Sequence, residues 1–139
     1  MVFTDPTKVE MACSQILQCA AASEFDVLVY CFMPDHIHLL VEGQNEHASL
    51  HRFVHSAKMR SGYAHARRFG QRLWQPGYHD RVARRREDVA ELTADILENP
   101  VRAGLTRSAA EYPFSGSGMY TTMQLFEYVG TQRGRPGVM

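Results

Sequence analysis

Two neighbouring apolar segments, separated by only two residues, constrain this 139-residue chain more than any other feature. Residues 25–33 are apolar, β-branched and aromatic, and residues 36–43 are of similar character. Pro34 and Asp35, which separate them, are typical turn residues. The pattern predicts two strands paired as an antiparallel β-hairpin. A chain of this length suits one core, so the hairpin is expected to belong to a single domain.

Three further segments have the periodicity of helices that bury one side. They cover residues 6–23, 48–69 and 87–98. Thr4 or Asp5 is the predicted cap of the first helix, with Pro6 in its first turn. Asn99 and Pro100 are predicted to terminate the third helix, because the residue before a proline disfavours the helical conformation.

Charge is unevenly distributed, although the formal net charge is zero. Residues 52–86 contain ten of the fifteen Lys and Arg residues and a single acid, Asp80. Such a segment predicts a polyanion-binding surface, the alternative being a solvated basic helix face. No apolar run approaches the roughly 20 residues of a membrane span, and no signal peptide is evident, so a cytoplasmic location is expected. The three cysteines form no CxxC pair and are expected to be buried free thiols.

His36 and His38 are the most informative residues of the hairpin. Residues i and i+2 of a strand point to the same face, so the two imidazoles are predicted to lie side by side. Neutral imidazoles at that spacing can share one divalent ion. The alternative for a bare HxH pattern is two half-exposed strand histidines, and the pair alone names no function.

Several motifs in order along the chain resemble the REP-associated tyrosine transposases, which belong to the single-tyrosine HUH transposases with an IS200-like domain. The resemblance spans roughly residues 3–115. It depends on MPDHIHLLVEG, the basic helix, WQPGYHD, ENPVRAGL and YPFS. It implies an α+β fold, a ferredoxin-like antiparallel sheet with helices packed on one face and the histidines on a central strand. By the same resemblance, the family's usual first strand is expected to be missing from this chain, which would expose a strand edge. Two alternatives are that a dimer partner covers the edge and that the true start lies upstream.

The resemblance also implies a domain division. Residues 1–115 are expected to form the HUH transposase-like domain, and residues 116–139 a partly mobile tail. Tyr112 and Phe114 are expected to pack back on the body, and the last ten residues to be mobile.

For the site, the resemblance implies Mg²⁺ or Mn²⁺ held by His36, His38 and Asn99. The implied substrate is single-stranded or hairpin DNA, cut by a tyrosine that forms a phosphotyrosine link. The position of that tyrosine, four residues before Asn99, is occupied by Asp95. A carboxylate nucleophile would give a labile acyl phosphate, whereas a carboxylate is a good ligand for a hard cation. Asp95 is therefore expected to gather with His36, His38 and Asn99 around one ion. Tyr63 and Tyr78 are substitute nucleophiles, for which packing or DNA contact is the favoured alternative.

The remaining predicted site residues are DNA contacts. They are Lys58, Arg60, Arg67, Arg68, Trp74, Arg81, Arg84 and Arg85. Trp74 can stack on an unpaired base or pack in the core. Three functions stay open: an active transposase, a non-catalytic DNA-binding module on the same scaffold, and a metal-dependent hydrolase of another class. The resemblance favours the first two and is compatible with either a monomer or a homodimer.

Overall fold

The computed structural model describes residues 2–74 and 86–133. Within them lie four α-helices, a short 3-10 helix and a three-stranded antiparallel sheet. The elements in chain order are α1 (Pro6–Ala22), β1 (Phe25–Met33), β2 (His36–Gly43), α2 (Leu50–Phe69), α3 (Arg86–Arg102), the 3-10 helix (Ala109–Glu111), β3 (Ser115–Gly116) and α4 (Thr122–Arg133). This combination confirms the predicted α+β class.

The hairpin of β1 and β2 forms with the predicted strand bounds, but it contains an irregularity in β1. Val27 pairs with Val41 and Val29 pairs with Leu40, which leaves Leu28 as an extra residue. Such a bulge exchanges the faces to which the following side chains point. The second half of β1 therefore presents a different set of side chains to each face than simple alternation from Phe25 predicts.

Helices cover both faces of the sheet. On the first face, Phe25, Val27 and Phe32 form a core with buried residues of α1 and α2. On the second face, Val29 packs with Leu97 of α3, together with Ala109 and Leu125. The expectation that helices lie on one face is correct for α1 and α2 and wrong for α3, whose apolar side needs the second face for its own burial.

The strand order is β2-β1-β3, so the histidine-bearing strand β2 lies at an edge. The expectation of a central position is therefore wrong for the described residues, in which β1 is the single neighbour of β2. The other edge is formed by the returning chain. Tyr112 Oη donates to the carbonyl of Phe32, and Phe32 N–H donates to the carbonyl of Phe114 at 2.9 Å. Tyr112 and Phe114 thus pack back on the body, as predicted.

Helix α3 continues past the point where the sequence predicts its end. Pro100 lies inside the helix, which runs to Arg102. Proline cannot donate a backbone hydrogen bond, yet Pro100 is fully buried against the core and its own carbonyl accepts from Leu105 N–H at 2.9 Å. Termination occurs instead at Gly104, whose φ of +76° belongs to the left-handed region that glycine tolerates. Asn99 is therefore a helical residue and not a terminating one.

Helix α4 is an element that the sequence analysis did not predict. It packs against α3, and its Leu125 is buried in the second core. The domain boundary at residue 115 stays a prediction, although this part of the tail is joined to the body. Of the last ten residues, for which mobility was expected, residues 130–133 belong to α4, and residues 134–139 lie outside the described residues.

The predicted cap of α1 and the predicted free thiols are both present. Asp5 caps α1 by accepting from Thr7 N–H at 2.9 Å. All three cysteines are free: Cys19 and Cys31 are buried, and Cys13 is half-buried. In the described ranges, no helix combines the length and the apolar character required to cross a membrane.

We predict that His65 makes the fold sensitive to mild acid. Its side chain is 1% exposed between α1 and α2, and burial, with Lys8 nearby, lowers its pKa. In the unfolded chain His65 binds a proton at about pH 6.5, whereas in the folded chain it does so only at lower pH. The free energy of unfolding therefore falls as pH drops below about 6.5.

Denaturant unfolding at pH 7 and pH 5 measures the effect of His65 on stability. His65→Leu should lose part of this slope, which is at most about 1.4 kcal/mol per pH unit for one group. The exposed neighbour variant His55→Leu should keep it, and identical slopes in both variants would refute the assignment.

Candidate metal and DNA site

His36 and His38 project from the second face of the sheet. Their partners across the hairpin are Met33 and Cys31, which belong to the part of β1 after the bulge. Helix α3 covers the same face and brings Asn99 to the pair. The predicted same-face arrangement of the two imidazoles is therefore present in the fold, and so is the closeness of α3.

The polar atoms of these residues converge. His36 Nε2 and His38 Nε2 are 3.1 Å apart, and Asn99 Nδ2 lies 3.1 Å from His38 Nε2. On the other side of the His36 ring, Nδ1 lies 2.7 Å from Asp35 Oδ1. Rotation of the Asn99 side-chain amide by 180° would bring its oxygen, in place of Nδ2, to the histidines. Three side chains thus meet at one point.

Protonation states follow from these contacts. The carboxylate of Asp35 accepts from His36 Nδ1–H, and this hydrogen bond holds the pKa of Asp35 below its usual value. With the proton on Nδ1, the His36 Nε2 lone pair points toward His38. Burial lowers the pKa of His38, and the nearby His36 and Arg102 lower it further. His38 is therefore a neutral imidazole at pH 7, which is the form that binds metals.

The spacing of the three side chains suits a shared cation. Two ligand atoms at about 2.1 Å from an ion and at right angles to each other are about 3 Å apart. The two Nε2 atoms have that separation, and Asn99 can supply an amide oxygen. Within the described parts of the chain, no third His, Cys, Asp or Glu joins the cluster. The described side chains that converge here are therefore those of His36, His38 and Asn99, and the carboxylate of Asp95 is not among them.

Asp95 and Arg102 lie on the same helix as Asn99. Asp95 is exposed, one turn before Asn99. Arg102 donates through Nη2 to the backbone carbonyl of Asp95 at 2.6 Å. Its positive charge also contributes to lowering the pKa of His38. Neither Arg102 nor Asp35 was predicted from the sequence to be a site residue. Both stand inside the quoted motifs, in ENPVRAGL and MPDHIHLLVEG, where their contacts could have been suspected.

The predicted DNA contacts on α2 lie on the other side of the sheet from the histidines. Helix α2 packs on the first face through Phe53 and Ala57, and its charged side chains point outward. Arg60, Arg67 and Arg68 are exposed there, and Lys58 is half-buried. This basic surface can contact DNA, but it is separate from the imidazole pair.

Of the two substitute nucleophiles, the structure describes only Tyr63, which lies away from the histidines. Tyr63 is 63% exposed on α2, where Arg67 donates to its hydroxyl at 3.1 Å. Tyr63 therefore lies on the opposite face of the sheet from the imidazoles, and its role as a substitute nucleophile stays a prediction. Tyr78 and the predicted contacts Arg81, Arg84 and Arg85 lie outside the described residues.

Trp74 is half-buried beside α2. Its indole Nε1 donates to Ser61 Oγ at 2.7 Å, and its ring lies 5.7 Å from that of Phe3. One side of the indole thus packs on the first core, in agreement with the alternative prediction that Trp74 packs in the core. The other side stays accessible, so a role in base stacking is compatible with this position.

Comparison with known protein families assigns the chain to one of them. Residues 1–90 match the family described as Transposase IS200 like, so this chain belongs to the IS200-like transposase family. The match includes both histidines and ends before Asp95 and Asn99. Membership implies transposase-type DNA processing, with DNA as the partner. A comparison with curated proteins and another with solved structures each found no significant match.

Proposed function

We propose that this chain is a REP-associated type of IS200-like transposase protein that binds single-stranded or hairpin DNA around Mg²⁺ or Mn²⁺. The ion would be held by His36, His38 and Asn99. The observation that carries the proposal is the convergence of the two Nε2 atoms and the Asn99 amide within 3.1 Å contacts. Two elements distant in sequence, β2 and α3, have to pack together to produce it.

Each residue of the proposed metal site has a distinct role. The His36 and His38 lone pairs and the Asn99 oxygen fix the position of the ion. Asp35 orients the His36 ring, as outer-shell carboxylates do for metal-binding histidines. The exposed guanidinium of Arg102 is available to pair with a phosphate oxygen. When bound, the ion polarises the scissile phosphodiester and stabilises developing negative charge.

Metal-assisted phosphodiester cleavage and strand transfer is the activity that such a site would serve, with Asp95 in place of the usual tyrosine. Asp95 itself favours a second candidate function. A carboxylate is a poor group for storing a DNA end, and Asp95 is exposed at the position where the resemblance expects a phenol. The second candidate is a non-catalytic DNA-binding module that keeps the metal site and the basic surface.

A binding and cleavage assay tests both candidates. We expect wild-type protein with Mn²⁺ to shift a labelled single-stranded hairpin oligonucleotide on a native gel, without a covalent band on a denaturing gel. A fully duplex version of the same sequence is the control and should bind more weakly. Equal affinity for duplex would contradict the proposed substrate. A covalent band with wild-type protein would contradict the second candidate, and cleavage without one would indicate a hydrolase.

The proposal extends to the cellular location and the oligomeric state of the protein. We place the protein in the cytoplasm, where the three free thiols stay reduced and DNA is accessible. Among the described residues the outer edge of β2 has no strand partner, and this edge is the surface at which a second copy would pair in a homodimer.

A further inference from the structure

We infer that a groove along α2, on the side of the sheet opposite the two histidines, binds an unpaired nucleotide of single-stranded DNA. The inference rests on the proposed function in that it takes DNA as the partner. The groove measures about 470 Å³. Its lining includes Lys58, Gly62, Ala66, Gly70, Arg72 and Trp74.

Trp74 forms an aromatic wall of the groove. Its indole is fixed by the hydrogen bond to Ser61 and by contact with Phe3, so it is held in place before any ligand arrives. The half-buried ring still contributes to the groove lining. A rigid aromatic face of this kind is what bases of single strands stack on, irrespective of sequence.

C-terminal to Lys58, the helix beside Trp74 presents only small side chains to the groove. Gly62, Ala66 and Gly70 are spaced four residues apart, so they follow one side of α2 and its C-terminus. A Cβ atom at Gly62 would lie 3.4 Å from Trp74 Cδ1, which indicates how closely the indole approaches the helix there. Small residues at these positions leave room for a flat base between the helix and the rim.

Cationic side chains supply the second half of a nucleotide site. Lys58 and Arg72 both line the groove. Arg72 donates through Nε to the backbone carbonyl of Trp74 at 2.9 Å, which ties the guanidinium to the aromatic residue. Its remaining N–H groups can bond a phosphate oxygen within reach of a base on the indole.

This combination favours a single strand over a duplex. In a duplex the base faces are stacked on each other and cannot reach a recessed indole, whereas an unpaired base can. The groove also lies away from Asn99 and the imidazoles, because α2 covers the first face of the sheet. It would therefore hold a part of the strand different from the part at the histidines.

Trp74 is the single tryptophan of the chain, so tryptophan fluorescence reports ligand binding at the groove. We expect a dodecamer of deoxythymidine, which forms no hairpin, to quench this fluorescence in the full-length protein. Ala66→Leu fills the groove from an exposed helical position and should weaken binding about tenfold or more, the typical contribution of one stacked base. Ala21→Leu, an equally exposed helical substitution on α1, should bind as wild type. Arg72→Gln should reduce the slope of log affinity against log salt by about 0.7.

The outcomes separate this inference from the proposed function. A His36→Ala/His38→Ala variant should still show quenching, because the groove does not include the imidazoles. Binding of the dodecamer without quenching, or unchanged quenching in Ala66→Leu, would overturn the groove even if hairpin DNA binds at the histidines. Persistent quenching together with metal-independent hairpin binding would instead reject the metal site and leave the groove supported.

Discussion

An Asp95→Tyr variant is expected to form a covalent link to single-stranded hairpin DNA that the wild-type chain does not form. Position 95 lies one helical turn before Asn99, whose amide contacts His38. A tyrosine there would extend from an exposed position on the side of α3 that faces the imidazole pair. Its phenol oxygen can attack phosphorus and release a 3′-hydroxyl, leaving a stable phosphotyrosine. A denaturing gel of Mn²⁺ reactions with labelled DNA measures the product.

The matched control for this variant is Asp95→Phe. It has nearly the same size and also removes the carboxylate, but it lacks the attacking oxygen. A second control, Glu91→Tyr, places a phenol at an exposed position about 12 Å from Asn99 along the helix axis. A covalent band in either control, or none in Asp95→Tyr despite bound metal and DNA, would reject the expected arrangement of α3 and the histidines.

Loss of the His38 imidazole is expected to abolish most Mn²⁺ binding. His38 Nε2 contacts both His36 and Asn99, so it is the central atom of the cluster. Removing an outer-shell partner typically costs about 10–100-fold in metal affinity, and Asp35→Asn should fall in that range. His38→Ala removes a direct ligand and should cost more. Titration of Mn²⁺ followed by electron paramagnetic resonance gives the affinities.

His55→Ala is the control for these substitutions. His55 is exposed on α2, on the other side of the sheet, and its loss should leave the Mn²⁺ affinity unchanged. Comparable losses in His55→Ala and His38→Ala would show that the ion binds histidines nonspecifically. Full affinity in His38→Ala would reject the proposed site.

Local features of the fold were predictable from sequence. Both hairpin strands have the predicted bounds, because apolar β-branched runs and a two-residue turn are signals contained within the segment itself. Helix α1 begins after its Asp5 cap for the same reason. The HxH spacing also placed both imidazoles on one face, since strand alternation needs no information from elsewhere in the chain.

Other features depended on contacts that no local pattern reveals. The extra residue Leu28 changed the facing of β1, and Pro100 was accommodated inside α3 because burial of its ring outweighs one missing hydrogen bond. Helix α4 has weak periodicity of its own and is held by packing of Leu125. The separation of Tyr63 from the imidazoles follows from the packing of α2 on the first face of the sheet.

The sequence alone determined the hairpin, the paired imidazoles and the concentration of positive charge in residues 52–86, because each is a property of neighbouring residues. Tertiary structure decided which groups meet. It brought Asn99 to His38 across sixty intervening residues and put the basic helix on the other face, since the two faces of the sheet bury different helices. Burial of apolar surface selects those partners, and it acts on the whole chain at once.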